Sequence, residues 1–224
     1  MSAHVPPIEV AGWKVEEPLA VVSAYCREQA VTLRRYDWLA GEQETLTTEV
    51  VRASWLLNSR ISYAQQRWLL GRSPDAPWHD VAAAALLRDA DPVVAGGDYD
   101  NAERLYAHFY RDRPRGIDHA KISKCLHLTR PGLFPILDRR TLKLYHQSAR
   151  LAARELEDVW RGRRQVRRAY WAAIRLDLLR GEDTLAQLRA AMRETGDGDP
   201  LGEAADQLSD VRLLDILSGA AGRY

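Results

Sequence analysis

A chain of 224 residues that is 46% hydrophobic and 28% charged has the makeup of a folded globular protein, and its longest apolar run, Val81–Leu87, falls far short of the ~20 residues that cross a bilayer. Two cysteines, Cys26 and Cys125, exclude a disulfide framework and a four-thiolate metal or iron–sulfur site. With neither a basic start nor an apolar stretch in Met1–Trp13, they point to a cytoplasmic protein with reduced thiols, no secretory signal and no membrane partner. The net charge of +1 is unevenly spread: residues 111–180 hold 18 basic and 7 acidic side chains, while the remainder holds 14 and 24. Such a division fits a polyanionic partner for the basic part, or mutual neutralisation of the two parts.

Strand signals are nearly absent, and the helix formers Ala, Leu, Arg, Glu and Gln dominate, so the chain reads as all-α with about nine helices. Pro18 opens a helical run to Leu39, which Gly41 ends. Thr47 or Thr48 caps a second helix through Leu57. Ser62 and Gln65 have capping-box spacing for a third that stops at Gly71. After Pro74 and Pro77, Trp78–Arg88 predicts a short Ala-rich helix, and Pro92, Gly96 and Gly97 break the chain again. Asp98 or Asp100 starts a helix to Arg111. Pro114 and Gly116 make a tight turn, and Ile117–Leu128 returns to helical spacing. Thr129–Leu137 is a proline-bounded loop, and Asp138 caps a helix running from Arg139 to Ala153. Basic helices follow over 155–180, then Thr184–Glu194, a flexible linker at Gly196–Gly202 and a last helix at Val211–Leu217. The single domain, 1–224, divides at the 92–97 break into lobes 14–92 and 98–224.

The stretch from Arg113 to Tyr145 reads as helix end, tight Pro/Gly turn, helix, loop, and an Asp opening a further helix. It resembles the helix-hairpin-helix DNA glycosylases, through Pro114, Gly116 and Ile117 in a hairpin element spanning 101–128 and through Asp138 where that family carries its essential acid. The strings Ser59-Arg60-Ile61-Ser62, Ala120–Leu128 and Pro135-Ile136-Leu137-Asp138 are also similar to a bacterial family of unknown function, over most of the chain. The glycosylase resemblance implies a two-lobed helical fold and hydrolysis of an N-glycosidic bond in DNA or a nucleotide-related substrate. It also implies Asp138 as the catalytic carboxylate and Lys121 as the lysine of a lyase step. Two positions depart from the pattern: Asp118 stands where such a hairpin carries a second glycine, and Lys121 falls one residue late. On a helix one residue is a turn of ~100°.

The residues themselves leave two readings open at each point. Cleaving a glycosidic bond builds positive charge on the sugar, which a fixed carboxylate stabilises; Asp is also a common helix cap, and it can hold a ligand without chemistry, so Asp138 fits any of these roles. Lys124, on the same helix face as Lys121, suits an anion or Asp138 itself. Arg60, Arg115, Gly116, Arg139 and Arg140 are candidate phosphate contacts. So are Arg164 and Arg168, within the cluster Arg161, Arg163, Arg164, Arg167 and Arg168 before Tyr170 and Trp171; the other reading is a salt-bridged face. His119, His127 and Cys125 lack zinc-ligand spacing, so no metal and no cofactor are expected. Seven tryptophans are mostly core, with one or two free to line a base pocket. Beside the enzyme stands a second reading, a non-enzymatic helical module that binds nucleic acid on the same scaffold.

Overall fold

A hairpin absent from the sequence reading stands near the start of the described residues. β1 (Ile8–Val10) pairs antiparallel with β2 (Trp13–Val15), Ile8 opposite Val15. Their link, Ala11-Gly12, has positive φ at both residues, the conformation a two-residue hairpin turn demands. Three residues per strand are too few for a readable alternation. The Ala11 N–H donates to the Asp177 carboxylate at 2.7 Å, which fastens the hairpin to the body.

The computed structural model describes residues 5–160, 166–195 and 199–221. Apart from the hairpin, the regular secondary structure of the described residues is helical. The helices are α1 (Pro18–Glu28), α2 (Ala30–Arg35), α3 (Thr48–Ala53), α4 (Tyr63–Arg72), α5 (Asp98–Tyr110) and α6 (His119–Thr129), then α7 (Arg139–Leu144), α8 (His146–Glu155), α9 (Glu157–Trp160), α10 (Val166–Arg180), α11 (Glu182–Arg193), α12 (Pro200–Gln207) and α13 (Asp210–Ser218). The start signals hold where a side chain caps: Thr47 accepts from the Val50 N–H, and Ser62 and Gln65 form both bonds of the capping box. α1 packs on α11, α12 and α13, so the two ends of the chain share one core.

Four predicted elements differ. The run from Pro18 breaks after Glu28 and ends in a single 3-10 turn at Asp37–Leu39, with Gly41 at φ +88° closing it. Trp78–Arg88 is not a helix beyond one 3-10 turn, Trp78–Asp80. Its carbonyls have another use: the buried Arg130 guanidinium takes those of Val81 (3.0 Å) and Trp78 (3.5 Å), and the Leu87 N–H goes to Gly132 O. A Cβ on Gly132 would sit 2.6 Å from the end of the Leu86 side chain and 3.1 Å from Ala85 O, so the two segments pack closely there. The helix after Asp138 divides at the buried Tyr145. The expected linker at 196–202 lies partly outside the described residues, and from Pro200 on it is helix, capped by Asp199.

α6 runs through the centre, buried from Ile122 to Thr129. It also shapes the loop that follows it. Ser123 Oγ accepts the Leu137 N–H at 3.0 Å, and His127 Nδ1 donates to Phe134 O at 2.8 Å, so two residues one helical turn apart fix the segment that delivers Asp138. Burial, and then the charge of Arg212, hold the His127 imidazole down at about 4 against an ordinary 6.5. Its Nε2 is buried without a partner, so a proton there would gain nothing. The unfolded chain therefore binds the extra proton first. Stability should be fully present above pH 6.5 and fall by about 3 kcal/mol as the pH drops to about 4. In His127→Asn, whose amide keeps a donor for Phe134 O, urea unfolding at pH 7 and pH 4.5 should lose this acid-dependent component. An unchanged pH slope would contradict the assignment.

Candidate active-site cleft

Asp138 lines an open cleft of about 510 Å³, walled by α1, α2, the Leu56–Asn58 turn, the start of α7 and the end of α13. Its Oδ1 accepts three hydrogen bonds, from the N–H groups of Arg140 (2.9 Å) and Thr141 (2.9 Å) and from Thr141 Oγ1 (3.2 Å). Its Oδ2 accepts none from the described residues. One oxygen is thus spent on orienting the carboxylate at the start of α7, and the other is left for the cleft.

Lys124, 6% exposed, lines the same cleft. Its Nζ donates to Leu57 O at 2.6 Å, and Tyr36 Oη donates to its carbonyl at 2.8 Å. Burial lowers its pKa, while the charges of Asp138 and Asp215 oppose that shift. Lys121 goes elsewhere. Its Nζ donates to Gln65 Oε1 at 2.8 Å, on α4, and it does not line the cleft. Of the two lysines, Lys124 and not Lys121 lines the cleft with Asp138. Sequence spacing put both lysines near one face, and only the packing of α4 against the turn separates them.

Beneath the cleft lies a charge network that sequence spacing did not reveal. Arg212, 4% exposed, donates Nε to Asp37 Oδ1 at 2.7 Å and Nη2 to Tyr25 Oη at 2.7 Å, and pairs through Nη1 with Asp215. Tyr25 Oη donates in turn to Asp37 Oδ2 at 2.5 Å. Burial pushes the Tyr25 phenol up, with Asp37 adding to the shift and Arg212 opposing it. It also raises the Asp215 carboxyl against the lowering by Arg212. The one sequence signal is the pair Arg212 and Asp215, three residues apart among the buried apolar residues Val211, Leu213, Leu214, Ile216 and Leu217. The other partner of Arg212, Asp37, is 175 residues away, beyond any motif spacing.

The other candidates divide. Arg140 lines the cleft, but its guanidinium bonds the carbonyls of Ser218 and Gly219 and so tethers α7 to the C-terminal end of α13, where a cation is favoured. Arg60 and Arg139 are exposed and do not line the cleft. Gly116 has φ +86°, as a tight turn requires, yet Gln65 covers the turn: its Nε2 donates to Arg115 O at 3.2 Å and lies 2.7 Å from where a Gly116 Cβ would be. Asp118, in place of a second glycine, caps α6 through the Lys121 N–H. Arg164 lies outside the described residues, as do Arg161 and Arg163. Arg168 is buried and paired with Asp100 at 2.7 Å, and Arg167 is buried and paired with Glu103, so both face inward rather than toward a surface phosphate. His119 stacks on Tyr110, and burial, with Arg167 and Arg113, takes it down to about 4. Burial pushes the Cys26 and Cys125 thiols up to about 11 and about 12, which leaves neither a ready nucleophile. Among the described residues, no group of three His, Cys, Asp or Glu is placed to hold a metal ion, and no helix is long and apolar enough to cross a membrane.

Fold and cleft together define a helical protein with an oriented carboxylate, Asp138, in a mixed-charge hollow. Residues 18–222 match the family of unknown function DUF6308, and the chain belongs to that family. No curated protein and no solved structure matches it.

Proposed function

We propose that this protein hydrolyses an N-glycosidic bond in a nucleotide-related or nucleic-acid substrate, on a divergent scaffold resembling that of the helix-hairpin-helix glycosylases. The observation that carries the reading is Asp138: Oδ1 is fixed by three donors, Oδ2 is unclaimed, and the side chain lines a cleft of a size for one nucleoside. In the reaction the C–N bond breaks and its electron pair leaves with the base. The sugar becomes cationic at the anomeric carbon, opposite the Asp138 carboxylate. Water then adds through its oxygen, and its proton goes to the departing base or to solvent. Asp138 is preorganised, so its charge acts without reorientation as the cation forms. Lys124 suits a substrate phosphate or hydroxyl. The basic segment gives less support to duplex binding, since Arg167 and Arg168 are turned inward and Gln65 covers the hairpin.

The test is release of a free base from a panel of nucleosides, nucleotides and oligonucleotides with normal and modified bases, followed by chromatography, with Asp138→Asn as the comparison. Base release by the parent protein alone supports the reading. Binding without release from any substrate overturns it in favour of a helical binding module, in which the three bonds to Oδ1 are only those of a helix cap.

A further inference from the structure

A second cavity, of about 960 Å³, shares Leu56 with the Asp138 cleft. It is lined by Arg34 and Arg35 from the last turn of α2, by Arg52 from α3, and by Trp38 and Trp55. Trp55 is 57% exposed, a large apolar side chain left in water. The guanidiniums of Arg34, Arg35 and Arg52 make no ion pair and no hydrogen bond with the described residues, in contrast to those of the ion-paired Arg167, Arg168, Arg189 and Arg212. The indole Nε1 of Trp38 is buried without an acceptor. Glu42 and Glu49 also line the cavity, so its charge is local to the guanidiniums rather than a broad field.

We propose that this groove takes a single-stranded segment of nucleic acid whose next nucleotide enters the Asp138 cleft. The proposal deepens the glycosidase reading and rests on it for the kind of ligand. Exposed indoles stack on bases of any identity, and unpaired guanidiniums take the backbone phosphates between them. Glu42 and Glu49 are acceptors for exocyclic amines. Leu56 lines both hollows, so they adjoin across one side chain, and a strand passing over it reaches from one into the other. A single strand fits better than a duplex, because the Pro114–Gly116 turn that would grip duplex phosphate is covered by Gln65 and followed by the carboxylate of Asp118.

The experiment measures binding of an eight-residue oligothymidylate to the full chain, by fluorescence anisotropy, between 50 and 200 mM salt. With three guanidiniums the slope of log K against log salt should be no steeper than about −2, a loss of roughly sixteenfold over that range. Trp55→Ala should weaken binding about tenfold. Arg52→Ala should weaken it and flatten the slope by about 0.7. Full affinity in both Trp55→Ala and Arg52→Ala, or no binding at 50 mM salt, overturns the proposal. Base release that depends on Asp138 but ignores Trp55, with no oligonucleotide affinity, removes the groove and leaves the cleft chemistry. Affinity through Trp55 with no base released from any substrate supports the groove and removes the cleft chemistry.

Discussion

Arg212→Met should lower the unfolding free energy by about 3–5 kcal/mol, because it strips the cation from a buried network rather than from the surface. Asp37 is 1% exposed and Asp215 sits beside Asp138, so both carboxylates would be left without their guanidinium. Tyr25 Oη would lose its donor as well. Methionine has the length to fill most of the space, which keeps the cavity contribution small and isolates the charge effect. A loss of that size is a large share of a domain's usual 5–15 kcal/mol. The double variant Asp37→Asn with Arg212→Met should therefore recover part of it, by removing one stranded charge. Urea unfolding at pH 7 measures both. A change below about 1 kcal/mol in the single variant would mean that the network is open to water and not the floor of the cleft.

Asp138→Asn should reduce the rate of base release by about 10²–10³-fold while substrate affinity stays nearly constant. The substitution separates two roles that share one residue. Asparagine caps a helix about as well as aspartate, so the bonds from the Arg140 and Thr141 N–H groups are retained and α7 keeps its start. What disappears is the negative charge that would face the cationic sugar. Asp138→Ala removes cap and charge together and should cost about 1 kcal/mol of stability besides. Activity lost in both variants, with stability lost only in the second, assigns the carboxylate to chemistry. Stability lost in both, at unchanged rates, assigns it to structure.

Much of this was legible in the sequence because it was local. The capping box at Ser62 and Gln65, the proline at the head of α1, the turn at Gly116 and the cap at Asp138 are decided within four residues, and each stands where its spacing puts it. The failures were long-range. Residues 78–88 have helix-forming side chains, but the carbonyls of Trp78 and Val81 go to Arg130, 52 and 49 residues away. Lys121 and Lys124 differ by their neighbours, Gln65 in one case and Leu57 in the other. The charge division was readable as a surplus, but its partners were not. Part of the surplus is spent inside, Arg167 on Glu103 and Arg168 on Asp100, and the unpaired guanidiniums of Arg34, Arg35 and Arg52 lie in the acidic part of the chain. The Arg212 network joins residues 25, 37 and 212, which no spacing rule connects.

The most direct measurement compares affinity for two small ligands of one shape, a protonated cyclic-amine analogue of the sugar and its neutral ring-oxygen counterpart. An oriented carboxylate that stabilises a cationic sugar should bind the charged ligand at least 100-fold more tightly, and Asp138→Asn should erase that preference. Equal affinity for the two ligands in the parent protein would contradict a role for Asp138 in glycosidic chemistry.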